Sequence, residues 1–184
     1  MPSTEAAREL HKETLAFFSQ LFRYPDEELV DILRQEGVLL AEKQAWTAPP
    51  ELSSLTDLEV QHTRLFINAL GGAIAPPYAS VYLDDRGEMM GESTKDILQF
   101  YQKVGLELAE ESEPPDHIST ILECLYLLED QDEATIRSLR TSFIKRALLS
   151  WLPAFHSRLP SSSNCIYFWG SKELQKYLSS ATAY

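Results

Sequence analysis

Cysteine is scarce in this chain, and long hydrophobic runs do not occur. Its 184 residues include two cysteines, Cys124 and Cys165, at unrelated positions. Two isolated thiols exclude a disulfide framework and a cysteine zinc knuckle, so we expect a reducing compartment. Residues 1–20 carry charges throughout, which excludes a secretory signal peptide, and no run of about 18 apolar residues is present. The sequence therefore predicts a cytoplasmic protein without a transmembrane segment.

Basic residues are also in the minority. Lysine and arginine number 16 against 28 acidic residues, which gives a net charge of −12. Such a negative field repels a phosphate backbone, so no nucleic acid partner is expected. The same field favours a cationic peptide or a basic partner surface, although it also helps to keep a protein in solution. Apolar residues make up 44% of the chain, and this composition and length predict one globular domain over residues 1–184.

Apolar residues recur at helical spacing along most of the chain. This spacing predicts helices at about 4–22, 26–37, 55–69, 93–104, 118–128, 132–149 and 166–178. Local signals predict their ends: a capping box at Ser93–Asp96, an N-cap at Asp116, and stops at Gly37, Gly71 and Gly105. Only Ser80–Leu83 alternates as a strand would, and it is short. The predicted fold class is therefore all-α, a single-domain helical bundle.

Two segments interrupt the helical pattern. Residues 71–91 are rich in glycine and proline, which predicts a long ordered loop, and such loops often carry function. Residues 160–164 form a short polar linker. This linker is where a hinge for exchanging helices between two copies would lie, so the expected state is a monomer or a homodimer.

Asp116 and His117 are candidates for acid–base chemistry, because a carboxylate can orient an imidazole for proton transfer. Neighbouring residues of a helix point about 100° apart, however, and no nucleophile motif accompanies them. An N-cap followed by a first-turn histidine is the simpler interpretation, with a binding role and a small hydrolase as alternatives. The four histidines of the chain are scattered and no phosphate loop is present. No metal, nucleotide or other cofactor is therefore predicted.

The segment from Pro76 to Tyr82 combines two stiffening prolines with two tyrosines. Tyrosine offers an apolar face and a polar end, which suits one wall of a peptide groove. A rigid loop packed on the core is an equally good interpretation.

Five motifs occur in a characteristic order. They are Arg64-Leu65-Phe66, the Pro76–Tyr82 segment, Gly91-Glu92-Ser93, Glu113-Pro114-Pro115-Asp116-His117 and Trp151-Leu152-Pro153-Ala154-Phe155. Together they resemble the TorD/DmsD/NarJ family of redox-enzyme maturation chaperones over roughly residues 10–180. The ordered set is far more specific than any one motif.

The resemblance implies an all-helical chaperone and not an enzyme. Its expected partner is a molybdoenzyme catalytic subunit, bound through its twin-arginine signal or N-terminal segment while the molybdenum cofactor is inserted, before export machinery or assembly takes over. The implied client-binding residues are His62, Leu65, Phe66, Tyr78, Ser80, Tyr82, Asp116 and His117. We add the hypothesis that the acidic groups of Glu113 and Asp116 meet the arginines of the client.

The chain departs from the family pattern at two positions. His62 stands where an aromatic residue is usual, which adds a titratable group, and Ala147 stands where many members carry a histidine. A generic helical adaptor with no molybdoenzyme client remains an alternative.

Overall fold

The structure is a computed structural model that describes residues 4–52, 54–85, 89–110, 112–131 and 134–182. Its helices are α1 (Thr4–Leu21), α2 (Glu27–Lys43), α3 (Leu55–His62), α4 (Ser80–Leu83), α5 (Glu92–Lys103), α6 (Ile118–Leu128), α7 (Ala134–Ile144), α8 (Leu152–Arg158) and α9 (Ile166–Ala181). Helix α3 continues as a π-helical turn, Thr63–Ile67, and α7 as another, Lys145–Leu149. No strand occurs in the described ranges, and the predicted all-α class is confirmed.

Helices α1 and α6 form the centre of the bundle. They pack against each other more extensively than any other pair, and α1 also contacts α2 and α9. The apolar stripe of α6, with Ile121, Leu122 and Leu125, is fully buried, and each such side chain contributes about 1.5–3 kcal/mol by leaving water. Gly170 allows α9 to approach α1, because a Cβ at this position would lie 2.2 Å from Leu21 Cδ2.

The start of α2 follows the prediction, and its end does not. Asp26 is the N-cap, and its carboxylate accepts a hydrogen bond of 2.8 Å from the Leu29 amide. The predicted stop at Gly37 is wrong, because α2 continues to Lys43. Gly37 is buried where the helix passes the ring of Phe17, and a Cβ there would lie 3.3 Å from Phe17 Cζ. This glycine therefore serves close packing and not termination.

The N-terminus of α5 is capped by a side chain from the preceding loop. The predicted capping box is wrong, because Ser93 lies within the first turn and the N-cap, Gly91, has no side chain to donate or accept. Instead Asp84 accepts hydrogen bonds from the Ser93 amide and hydroxyl, each 3.1 Å long. A Cβ on Gly91 would lie 1.9 Å from Asp84 Oδ2, so glycine leaves the space that this carboxylate occupies.

The loop at 71–91 is partly helical. The Ser80–Leu83 segment forms α4, so its interpretation as a possible strand is wrong. Gly87 of the predicted loop lies outside the described residues. No helix in the described part of the chain is long and apolar enough to cross a membrane.

Candidate peptide-binding site

Two motifs that are distant in sequence meet in what we call the junction, residues 76–83 and 113–118. Tyr78 and His117 form an isolated antiparallel bridge. Next to it, the Ala79 amide donates to the Asp116 carbonyl over 3.0 Å, and the Ile118 amide donates to the Pro77 carbonyl over 2.9 Å. The backbone therefore fixes the proline loop against the start of α6.

The carboxylate of Asp116 holds the junction together from inside. Asp116 is 0% exposed, and its Oδ2 accepts hydrogen bonds from the Ser80 amide (3.0 Å) and the Ser80 hydroxyl (2.6 Å). Bonds to a charged acceptor are stronger than neutral ones. The predicted N-cap role of Asp116 on α6 is wrong, because the carboxylate turns toward α4. The N-cap of α6 is His117, whose Nδ1 accepts from the Ser119 amide over 3.2 Å.

The prolines of the junction are fixed by a buried tyrosine. The Tyr101 hydroxyl donates to the Pro115 carbonyl over 2.7 Å, and burial raises the pKa of Tyr101 well above its usual value, so it remains a donor. On the far side of Pro114, the Thr120 hydroxyl lies 3.4 Å from the Glu113 carbonyl. Side chains from α5 and α6 thus set the path of the whole Glu113–His117 motif.

These hydrogen bonds argue against the hydrolase interpretation of Asp116 and His117. The Ser80 hydroxyl, the nearest possible nucleophile, donates directly to Asp116 and is fully buried. His117 uses Nδ1 to cap α6 and does not bond to Ser80 or Asp116 in the described structure. A nucleophile needs a base in contact with it, and a base needs an orienting group, so this arrangement does not support nucleophilic catalysis.

Beside the junction lies a group of aromatic rings centred on Phe66. The centroid of the Phe66 ring lies 4.9 Å from the ring centroid of His62, 4.8 Å from that of Tyr167 and 6.0 Å from that of Phe155. Phe155 also contacts Tyr82 at 6.2 Å. This aromatic group therefore joins the predicted residues His62, Phe66 and Tyr82 to the Trp151–Phe155 motif. Leu65 is buried too, and its carbonyl accepts a hydrogen bond of 2.8 Å from the Ala75 amide.

Both predicted site histidines are neutral at physiological pH. Burial lowers the pKa of His62 to about 4, only partly offset by the Phe22 backbone, and neither ring nitrogen has a well-formed hydrogen bond in the described structure. Burial lowers the pKa of His117 to about 3, and the charges of His62 and Arg23 lower it further. Tyr82 of the junction contacts Phe155 of the aromatic group at a centroid distance of 6.2 Å, so the two groups lie side by side.

Three accessible residues form the outer edge of this region: Tyr24, Tyr78 and Glu113. Tyr24 is 51% exposed and its ring lies 5.2 Å from that of His62. Tyr78 is half-buried with its ring 5.1 Å from His117, and burial, followed by the charges of Glu113 and Asp116, raises its pKa to about 12. Glu113 is exposed. The sequence did not suggest Tyr24, and its only signal is an aromatic residue before Pro25.

The remaining predicted site residues lie beneath this edge. His62, Leu65, Phe66, Ser80, Asp116 and His117 are buried, and Tyr82 is half-buried with its ring stacked on Trp151 at 5.2 Å. The structure therefore brings all the predicted site residues into two adjoining groups. It exposes only a few of them.

Comparison with known proteins identifies relatives along most of the chain. Residues 26–157 match the family described as nitrate reductase delta subunit. The selenate reductase assembly chaperone of Thauera selenatis is 28% identical over 162 residues, covering 83% of this chain and 78% of that protein. The chlorate reductase assembly chaperone of Ideonella dechloratans is 29% identical over 154 residues, covering 78% and 74%. These relatives are named as assembly proteins and not as enzymes.

Other relatives match over a shorter stretch. The chaperone protein TorD of a Psychrobacter species is 33% identical over 109 residues, and the match spans 55% of this chain and about half, 49%, of that relative. A crystal structure of a proposed redox enzyme maturation protein from Archaeoglobus fulgidus superposes with a TM-score of 0.65 at 28% identity, over 91% of this chain and 93% of that one. The chain belongs to the nitrate reductase delta subunit family, which confirms the resemblance carried by its motifs.

Proposed function

We propose that this protein is a cytoplasmic chaperone, a single helical domain acting as a monomer or homodimer, for a molybdenum-containing reductase. It binds the twin-arginine signal or N-terminal segment of the catalytic subunit and holds that subunit while the molybdenum cofactor is inserted, before export or assembly. The assembly chaperones among its relatives support a reductase client. The observation that supports the binding site is the junction, which joins the half-buried Tyr78 to the segment of the exposed Glu113, while the exposed Tyr24 contacts the aromatic group through His62.

The chemistry of the outer edge suits a cationic and apolar peptide. Glu113 supplies an accessible carboxylate, and an arginine of the client gains a charge-assisted hydrogen bond there. The faces of Tyr24 and Tyr78 supply aromatic surface for the same guanidinium group or for apolar side chains. The net charge of −12 attracts a cationic segment from a distance.

The buried residues act on the client through the outer edge. Asp116 and Ser80 fix the backbone that carries Tyr78. His62 and His117 lie under the two tyrosine rings as neutral groups, with centroid distances of 5.2 Å from His62 to Tyr24 and 5.1 Å from His117 to Tyr78. This division of roles modifies the sequence-based hypothesis, because a fully buried Asp116 leaves Glu113 as the acid that meets the client.

A peptide titration tests the proposal directly. The probe is a fluorescent synthetic peptide with two consecutive arginines followed by an apolar stretch, and the reference is the same peptide with both arginines replaced by glutamine. We expect saturable binding of the arginine peptide only, measured by fluorescence anisotropy. Glu113→Gln should weaken it by about fivefold to tenfold, as one charge-assisted contact is worth about 1–1.5 kcal/mol, and should reduce its salt dependence.

A matched control separates the local contact from the general field. Glu51→Gln removes the same charge from another exposed glutamate, and it should leave the affinity within about twofold because a charge outside the proposed site acts only through the screened field of the protein. Equal binding of both peptides would contradict the twin-arginine proposal and would favour a generic helical adaptor. Equal losses in both variants would remove Glu113 from the site.

The cellular role has its own test. Deleting the gene should lower the activity and cofactor content of a molybdoenzyme whose catalytic subunit co-purifies with this protein, and restoring the gene should reverse the defect. An unchanged molybdenum content in every such client would contradict a role in cofactor insertion.

A further inference from the structure

A cleft lies between the residues just after α1, the connector from α5 to α6, and α6 itself. It has a volume of about 340 Å³. Two of its lining residues, Arg23 and Ser112, directly precede Tyr24 and Glu113 in the chain. The cleft is therefore continuous with the outer edge of the proposed client site. Its apolar walls include Leu106, Leu108 and Leu127, and its charged lining residues are Arg23, Glu107 and Glu123.

An ion pair between Arg23 and Glu123 forms part of this cleft. The Nη2 atom of Arg23 lies 2.9 Å from Oε2 of Glu123, and the two side chains are 42% and 49% exposed. Exposed ion pairs contribute little to stability, because water solvates both partners and salt screens their attraction. Another guanidinium group can therefore replace Arg23 on Glu123 without a large cost to the fold.

A second ion pair shows what a structural pair looks like in this protein. Arg140 Nη1 lies 2.8 Å from Oε1 of Glu129, and these side chains are only 18% and 5% exposed. Removing one partner there would leave a buried charge without compensation, which is strongly destabilising. The Arg23–Glu123 pair lacks this burial, so stability alone does not explain its position in the cleft.

Glu123 lies close to the segment that carries Glu113. The Thr120 hydroxyl is 3.4 Å from the Glu113 carbonyl, and Glu123 follows three residues later on the same face of α6. A twin-arginine segment presents two guanidinium groups, and neighbouring side chains of an extended peptide point to opposite sides. Glu113 can meet only one of them, so the second arginine needs another carboxylate nearby.

We propose that Glu123 binds the second arginine of the client and that Arg23 occupies Glu123 in the free protein as an internal competitor. This inference rests on the proposed function. The client guanidinium displaces Arg23 and forms the same charge-assisted contact, and the leucine walls cover its methylene groups. A segment with one arginine binds at Glu113 and gains nothing at Glu123, so Arg23 makes the site selective for two arginines.

The fluorescent arginine peptide tests this exchange through the sign of two effects. Arg23→Gln should tighten its binding about fourfold and Glu123→Gln should weaken it about fourfold, within the range of one exposed ion pair. A purely structural pair would change the affinity in the same direction in both variants or not at all. Urea denaturation of both variants should show nearly unchanged stability, because the pair is exposed.

Matched controls remove the effect of net charge. Arg34 is exposed on α2 and Glu51 is exposed elsewhere, and neither lines the cleft. Arg34→Gln and Glu51→Gln should each leave the affinity within about 1.5-fold of the parent, since their charges act only through the screened field. A peptide that keeps one arginine should respond to Glu113→Gln and much less to Glu123→Gln.

The outcomes separate this inference from the proposed function. Saturable binding by the parent, with no gain in Arg23→Gln or a gain no larger than in Arg34→Gln, would overturn the exchange and leave the client proposal intact. An equal response of the one-arginine and two-arginine peptides to Glu123→Gln would also overturn it. No binding by either the parent or Arg23→Gln would contradict both proposals, whereas binding by Arg23→Gln alone would support the competitor role of Arg23.

Discussion

The junction and the aromatic group lie side by side and are held by different forces. In the junction, Asp116, Tyr101 and His117 each make a defined hydrogen bond to a partner from another segment or to the helix start. In the aromatic group, the rings contact one another at centroid distances of 4.8–6.4 Å, and the nitrogens of His62 and the hydroxyl of Tyr167 are buried without a hydrogen-bond partner in the described structure. In the junction, Asp116 Oδ1 and the Tyr82 hydroxyl are also unpaired, so the contrast lies in the directional bonds that the junction makes.

We infer from this difference that the junction is a rigid frame and that the aromatic group is an adaptable surface. Directional hydrogen bonds to buried groups fix one backbone path, because breaking any of them leaves a desolvated group unpaired. Ring contacts are less directional, so they allow small rearrangements at lower cost. We infer that the junction positions Tyr78 and Glu113, and that the aromatic group provides the part of the site that adjusts to different client side chains.

The largest expected effect comes from breaking the frame at Asp116. Asp116→Ala removes the acceptor of two buried Ser80 donors and should lower the free energy of unfolding by about 3 kcal/mol, since bonds to a charged group contribute about 1.5–3 kcal/mol each and part is recovered by losing a buried charge. Urea denaturation measures this change. Asp84→Ala is the matched control, because Asp84 also accepts two bonds from one serine but is only half-buried.

We expect the control to cost about 1 kcal/mol, typical of a partly exposed helix cap. Asp116→Asn, which keeps an acceptor oxygen of the same shape, should cost less than Asp116→Ala. The contrary outcome is that Asp116→Asn leaves stability intact and lowers the affinity for the arginine peptide as much as Glu113→Gln does. That result would show that Asp116 contacts the client directly, and it would contradict the indirect role.

A smaller effect is expected from acid, and it acts on both regions. The usual histidine pKa of about 6.5 applies to the unfolded chain, and burial lowers it to about 4 at His62 and about 3 at His117. Below pH 6.5 the unfolded chain therefore binds protons that the folded chain does not. The free energy of unfolding therefore decreases as the pH falls below 6.5, by about 1 kcal/mol for each histidine between pH 6.5 and 5.5.

Substitution of His62 by phenylalanine isolates the contribution of the aromatic group. His62→Phe keeps a ring among Tyr24, Phe66 and Tyr167 and should remove about half of the acid-dependent loss, because His117 remains. Urea denaturation at pH 6.5 and pH 5.5 measures the difference. An identical loss in the parent and the variant would show that His62 is protonated in the folded protein.

Periodicity in the sequence predicted α1, α2, α3, α5, α6, α7 and α9, because each of these helices buries one stripe and the stripe appears at three- and four-residue spacing. It missed the short helices α4 and α8. A local signal worked where the conformation it marks is local: Gly105, with φ of +75°, follows the end of α5 as predicted. Local signals failed where the partner is distant. Asp84 caps α5 from the preceding loop, and Gly37 is glycine because of Phe17 on another helix.

The sequence predicted which residues come together near the proposed site, and it did not predict which of them are exposed. The order of the motifs identified the segments that meet at the junction, but no local signal shows that the Asp116 carboxylate turns inward to Ser80. Nor does the sequence mark Tyr24, because an exposed ring outside a helix leaves no periodic trace. Exposure depends on which segments pack together, and that information is contained in the tertiary contacts.

The smallest effect provides the sharpest contrast between the two regions. Tyr101 and Tyr167 are 1% and 0% exposed, but only the Tyr101 hydroxyl has a partner, the Pro115 carbonyl at 2.7 Å. Tyr101→Phe should lower the free energy of unfolding by about 1 kcal/mol, the usual net value of a buried hydrogen bond, with a further cost for the unpaired carbonyl. Tyr167→Phe should be neutral or stabilising, because it removes a hydroxyl that was desolvated without compensation. The same single-atom deletion thus tests both regions in one urea titration series. Equal losses would mean that the Tyr167 hydroxyl bonds to a buried water and that the aromatic group is as firmly tied as the junction.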